Sequence, residues 1–152
     1  MKEDILEQIA EEFLSHRGYF TRHNLKFLPP KGHPEFSSQD DSNHSDIDVI
    51  GLNPLQAGPD RVWVVTCKSW QSGFDVDAEL RYLRENRTVR GKEPWKCYRE
   101  LVVPKWSEGF RSAIKEISGS DQFTYVLAVT KLKGNKADWE GNVGFRNAIG
   151  NN

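Results

Sequence analysis

Two acids and a lysine stand where buried strands should carry no charge. In "SDIDVIG" (45–51), Asp46 and Asp48 alternate with Ile47 and Val49. In "VVTCKSW" (64–70), Lys68 ends an apolar run and Thr66 lies two places before it. Side chains of a strand alternate between faces, so Asp46 and Asp48 are expected on one face, with Ile47 and Val49 on the other. Thr66 and Lys68 likewise share a face, opposite Val65 and Cys67. If the two strands pair, an Asp and the Lys meet at one end of a sheet, where burying either alone is costly. One reading is an Asp–Lys ion pair, or plain solvent exposure, at a strand end. The other is metal-dependent hydrolysis of phosphodiesters. Magnesium takes oxygen ligands, typically one or two carboxylates with waters and the substrate phosphate. It lowers the pKa of a bound water, and a lysine beside it orients that water or stabilises the developing charge.

Such a site needs a sheet and helices to hold it. Residues 3–17 read as a helix, because Ile5, Leu6, Ile9, Ala10, Phe13 and Leu14 recur at helical spacing and Gly18 stands where a cap belongs. "YFTRHNLKFL" (19–28) reads as a first strand, and 46–52 and 61–70 as the second and third. The turn-rich 53–60 suits a hairpin-like link between those two. Residues 29–45 form a long loop rich in Pro, Gly, Ser, Asp and Asn, and loops of that length are usually functional or disordered. A helix over 75–86 starts at Asp75 or Asp77. A second helical stretch over 105–118 places Phe110, Ala113, Ile114 and Ile117 on one side, and 122–130 is a late apolar strand. The Gly-, Asn- and Lys-rich tail, 131–152, carries no readable element. The order is helix, three strands, helical segment, strand: a mixed α/β domain (α+β mixed) with a central sheet flanked by helices.

The chain as a whole agrees with a single globular domain over 1–152. It has 152 residues, 37% hydrophobic and 28% charged. No apolar run approaches the ~20 residues of a membrane span, and the acidic, amphipathic start is unlike a signal peptide. The two cysteines, Cys67 and Cys97, suggest neither a zinc site nor a disulfide framework, and a reducing cytoplasm is expected. Net charge is −1, unevenly spread: residues 1–60 carry five Lys/Arg against eleven Asp/Glu, and 61–152 sixteen against eleven. The basic second part points to an anionic partner.

The layout resembles the PD-(D/E)XK nuclease superfamily, with its restriction-endonuclease-like fold, and is most similar to the Holliday-junction-resolvase-like and Mrr-like branches. Glu7, Ala10, Phe13, Leu14, Gly18 and Tyr19 match the first helix of that family and the turn after it. Asp48 in "DIDVIG" matches its strand aspartate, and Thr66-Cys67-Lys68 its "(E/Q)-x-K" strand. The match covers roughly residues 5–70, and the later elements fit an αβββαβ core.

The resemblance implies a Mg²⁺- or Mn²⁺-dependent deoxyribonuclease acting on DNA. In it, Asp48 is the main metal ligand, Glu7 helps hold the metal directly or through water, and the Cys67 backbone carbonyl is a further ligand. Lys68 positions the attacking water. An ordinary reading of Glu7 is an acid suited to the first turns of a helix. Glu12, at the other margin of the apolar stripe, is the reserve, and Asp46 assists Asp48 or only caps the strand. Thr66 departs from the pattern, since threonine is a poor magnesium ligand. Gln71, Asp75, Asp77 and Glu79 follow closely enough to supply the missing oxygen. The alternative is a decayed site on a fold that only binds nucleic acid or regulates.

After the site comes a basic segment: Arg81, Arg84, Arg87, Arg90, Lys92, Lys96 and Arg99. It would contact phosphates in a salt-dependent manner, with Trp70, Trp95, Tyr98 and Trp106 available to stack on bases. A solvated helix face with core tryptophans is the competing reading. His33 and His44 in the long loop read as surface residues, although a histidine there can act as acid or base. Cutting two strands points to a homodimer as the active form, or to one site that rebinds.

Overall fold

The structure is a computed structural model and describes residues 4–152. Residue 3, where the sequence pattern starts the first helix, lies outside them. Helix α1 (Ile5–His16) begins at Asp4, whose side chain accepts the Leu6 N–H, and ends at Arg17, whose N–H reaches the Leu14 carbonyl while the Gly18 N–H reaches that of Ser15. Gly18 follows with φ 89°, the left-handed turn that lets the chain reverse into the sheet. Strands β1 (Phe20–Phe27), β2 (Ser45–Leu52) and β3 (Val62–Lys68) then form an antiparallel meander. A single-turn 3-10 segment, Gly58–Arg61, occupies the link expected to be hairpin-like.

Residues 69–123 cross over before the chain returns to the sheet. They carry a two-residue strand β4 (Phe74–Asp75) and α2 (Val76–Glu85), followed by the short α3 (Arg99–Val102) and the longer α4 (Pro104–Ser118). Strand β5 (Thr124–Val129) pairs with β3 in parallel, giving the order β1-β2-β3-β5. The chain is therefore mixed α/β, an open mixed sheet flanked by helices. The tail that carried no pattern folds as β6 (Leu132–Lys133), paired in parallel with β4, then α5 (Lys136–Glu140) and α6 (Val143–Ala148). These pieces are too short for periodicity to reveal. They nevertheless bury Trp139, Phe145 and Ile149 in the main core, where the Trp139 ring meets Phe74 at 5.0 Å and Tyr98 at 5.1 Å.

Two apolar clusters hold the sheet. The larger contains Ile47, Ile50, Val62 and Val64 with Phe110, Ile114 and Trp106 of α4. The smaller, under α1, contains Leu14, Val49 and Val65. Ile47 and Val49 thus pack in different clusters, against the one shared face that simple alternation gives them. The β1–β2 register runs Leu25↔Ile47 and His23↔Val49 and skips Asn24 opposite Asp48. Asn24 has φ 52°, so the ladder is locally deformed there, and such a deformation re-aims side chains.

The loop between β1 and β2 is long but tied down. The buried carboxyl of Asp41 accepts the Ser37 N–H at 2.9 Å and Lys105 Nζ at 2.9 Å. Burial would raise that carboxyl, but the Lys105 and Ser37 bonds, with the charges of Lys105 and Arg99, outweigh it and hold it low. Near the start of the loop, α4 passes so close to Leu28 that a Cβ on Gly109 would lie 2.1 Å from the Leu28 carbonyl oxygen. No helix among the described residues is long and apolar enough to cross a membrane.

Candidate active site

The β2–β3 ladder runs from Leu52↔Val62 to Val49↔Val65 and stops. Asp48 and Lys68 follow on the ends of the two strands that this ladder leaves unpaired. Asp48 Oδ2 fills part of the gap by accepting the Cys67 N–H at 2.7 Å. In a strand the N–H and C=O of one residue leave on the same side, so the Cys67 carbonyl faces the same gap. Burial raises the Asp48 carboxyl above the ordinary range; the Cys67 N–H and the Lys68 charge oppose this without cancelling it, and Asp4 and Asp46 add to it.

Glu7 arrives from α1. Its carboxyl is raised first by burial and then by the Asp48 charge, with smaller additions from Asp4 and Asp46 and opposition from His23. Glu7 and Asp48 therefore share one field, with Asp4 and Asp46 at its margin. The Cys67 thiol is pushed up to about 12 by burial and by Asp48, Glu7 and Asp4, so it stays a neutral, unreactive thiol. Burial in a field of acids is what a divalent cation relieves, and two carboxylates with a backbone carbonyl suit magnesium or manganese. Among the described residues, no three His, Cys, Asp or Glu side chains gather as a ready cage.

Lys68 acts on Asp48 through its charge. Its Nζ lies 5.5 Å from the centre of the Tyr98 ring and 5.9 Å from that of Trp70. A layered support lies behind it. Arg90 stacks on Trp70 at 3.4 Å and contacts both oxygens of the buried Glu79 at 3.0 Å, and Glu79 also accepts the Tyr98 hydroxyl at 2.8 Å. Glu79 is thus engaged in this support and does not supply a site oxygen.

The other reserve candidates are dispersed. Glu12 is exposed, five residues and so about 140° around the helix from Glu7. Gln71 and Asp77 are also exposed. Asp75 caps α2 by accepting the Ala78 N–H. Asp46 is exposed and sits opposite Lys26 of β1.

Thr66 is buried. The Tyr125 hydroxyl donates to Glu100 Oε1 at 2.7 Å. Glu100 is buried, and its carboxyl is raised by that burial against the Tyr125 bond, its own backbone N–H and the Lys68 charge. Sequence reasoning missed Glu100 and Tyr125 because neither lies near the strand motif. It also missed Asp4, whose Oδ2 accepts the Ser69 hydroxyl at 2.8 Å and so pins the start of α1 to the end of β3. A helix-cap signature could have found Asp4.

In the basic segment, Arg81, Arg84, Arg87, Lys92 and Lys96 are exposed. Arg90 is bound to Glu79, and Arg99 lies over the Trp106 ring at 4.7 Å. Trp106 and Tyr98 are core residues, 2% and 0% exposed, so they are no platform for bases. Trp70 carries Arg90 on its ring and stacks near Phe74. Trp95 is half-buried and donates its indole N–H to Glu93. His33 faces Glu108 at 3.7 Å, and His44 is exposed. In comparisons with known proteins, no family model, curated protein or solved structure matches the chain.

Proposed function

We propose that this chain is a metal-dependent nuclease of the PD-(D/E)XK type, hydrolysing DNA phosphodiesters with Mg²⁺ or Mn²⁺. What supports the reading is the bond from the Cys67 N–H to Asp48 Oδ2, with the Lys68 charge acting on Asp48 and the Asp48 charge acting on Glu7. The element order supports it: one helix, a three-stranded meander, helices, and a strand returning parallel to β3 match the αβββαβ core of that superfamily.

A bound divalent ion would polarise the phosphate and acidify a water. Asp48 and Glu7 would hold it, with the Cys67 carbonyl completing the protein's share. Lys68 would orient the attacking water and stabilise the charge gathering on the phosphate. The exposed Arg81, Arg84, Arg87, Lys92 and Lys96 would track the DNA backbone without reading its sequence.

Plasmid and branched DNA incubated with Mg²⁺ or Mn²⁺ test this. Metal-dependent cutting that Lys68→Ala abolishes is the expected result. Retention of DNA on a gel without cutting would replace the enzyme by a nucleic-acid-binding module, a reading favoured by Thr66 in place of the usual acid.

A further inference from the structure

We propose that the buried Glu79 is a positioning residue for Lys68, acting through the two aromatic rings beside which the lysine head lies. The inference rests on the nuclease reading and deepens it by naming what aims the lysine of that site.

Two short routes of direct contact join the lysine head to this carboxylate. Lys68 Nζ lies 5.5 Å from the centre of the Tyr98 ring, and the hydroxyl of that ring donates to Glu79 Oε2 at 2.8 Å. Lys68 Nζ also lies 5.9 Å from the centre of the Trp70 ring, on which the Arg90 guanidinium stacks at 3.4 Å. Arg90 in turn contacts both oxygens of Glu79 at 3.0 Å. The two rings meet edge to face, their centres 6.4 Å apart. One carboxylate therefore ties down both rings beside the lysine. A lysine head has three rotatable donors on a flexible stem, and aiming it requires such a frame.

The chain accepts two costs to build this frame. Arg90 and Gly91, with φ 55° and 78°, are the central pair of a tight turn in which Val89 and Lys92 exchange both backbone hydrogen bonds. Asn or Gly suits the first of these positions, and a long side chain there persists only where its surroundings hold it. Here the Arg90 side chain turns inward, 28% exposed, onto a Glu79 side chain that is 4% exposed. The second cost is the burial of charge, since apolar residues of the same volume generally serve stability as well or better. Both costs are explained if the pair sets the Trp70 ring. The Glu79 oxygens are taken up by Arg90 and Tyr98, so Glu79 acts on Lys68 through the rings and not as a metal ligand.

Two measurements on the full chain test the proposal: steady-state cutting with Mn²⁺, and NMR of ¹³C-labelled lysines in the metal-free protein. The Lys68 ε-methylene lies beside two aromatic rings and should be ring-current shifted, with Lys68→Ala giving the assignment. Glu79→Gln keeps the shape and an acceptor for Tyr98 but removes the charge that holds Arg90. It should move the Lys68 signal toward that of exposed lysines, leave the other lysines in place, and lower kcat by about fivefold or more with KM changed less than about twofold. Arg90→Gln should shift both readouts in the same direction. Tyr98→Phe keeps the ring and removes one hydrogen bond; it should shift both by less, and it serves if the other two do not fold. Folded variants that lose stability with the Lys68 signal unmoved overturn the proposal, because Glu79 is then a purely structural residue. So does unchanged kcat in an enzyme that Lys68→Ala inactivates. A wild-type chain that cuts no DNA overturns the nuclease reading instead, and the Lys68 signal alone then decides whether Glu79 holds it.

Discussion

Asp48 Oδ2 accepts the backbone N–H of Cys67 at 2.7 Å, so a side chain takes the place of the next β2 carbonyl in the ladder. The bond ties a carboxylate of the site to the strand bearing Lys68. Asp48→Asn keeps an acceptor and removes a charge that burial disfavours. It should abolish metal-dependent cutting while raising the metal-free melting temperature by a few degrees, about 1 kcal/mol. Asp48→Ala should abolish cutting and also destabilise by about 1–3 kcal/mol, because the Cys67 N–H loses its partner. Thermal melts of the two variants separate these cases.

Glu7 and Asp48 both bind their protons more tightly in the folded chain than an ordinary carboxyl does. The folded state therefore carries more protons than the unfolded one above the ordinary carboxylate range of about 4. Their contribution favours folding at low pH and is lost as pH rises through the raised values. Melts of the metal-free protein should show this decline relative to a Glu7→Gln, Asp48→Asn double variant, and saturating Mn²⁺ should flatten it. Parallel curves for the two proteins would show that the carboxyls are not raised.

Arginines of the basic segment should divide into two groups. Arg90→Ala leaves the buried Glu79 with Tyr98 alone and should destabilise by about 2–3 kcal/mol in urea. Arg84→Ala and Arg87→Ala should leave stability within about 0.5 kcal/mol. Each should weaken DNA binding and reduce the slope of log affinity against log salt by about one.

Gly109→Ala should be among the most damaging single substitutions. The added methyl would meet the backbone of Leu28, its carbonyl carbon at 2.8 Å and its oxygen closer still, with no flexible side chain to yield. A loss of about 3 kcal/mol or more, read from urea unfolding, is expected. The loop that follows Leu28 should also become more susceptible to protease.

Much of the frame was legible because its periodic segments are long. The α1 stripe, the three early strands and α4 are each within a few residues of what the pattern gives. The tail was not, because α5 and α6 bury single large residues, Trp139 and Phe145, rather than a repeating stripe. At the site, Asp48 and Lys68 could be named because they break the apolar strand pattern, and Glu7 because the first helix resembles that of the nuclease superfamily. The buried Glu100 could not, since it lies thirty-four residues beyond Thr66 on a helix of one turn. For the tryptophans the structure favours packing over an open binding face: Trp106 is buried beneath Arg99, and Trp70 carries Arg90 on its ring.

The parallel pairing of β3 with β5 bears on how the chain reaches its shape. The β1–β2–β3 meander joins neighbours in sequence, but β5 must find its place after residues 69–123 have crossed over. Contacts of such separation form late, because the loop between them must first be closed. During that interval β3 presents a bare edge, "VWVVTCK", rich in β-branched residues and ending in its only charge, Lys68. Lys68 therefore stands as a gatekeeper on the segment most exposed to misassociation, and substitutions that remove its charge should lower the yield of refolding before any question of catalysis arises.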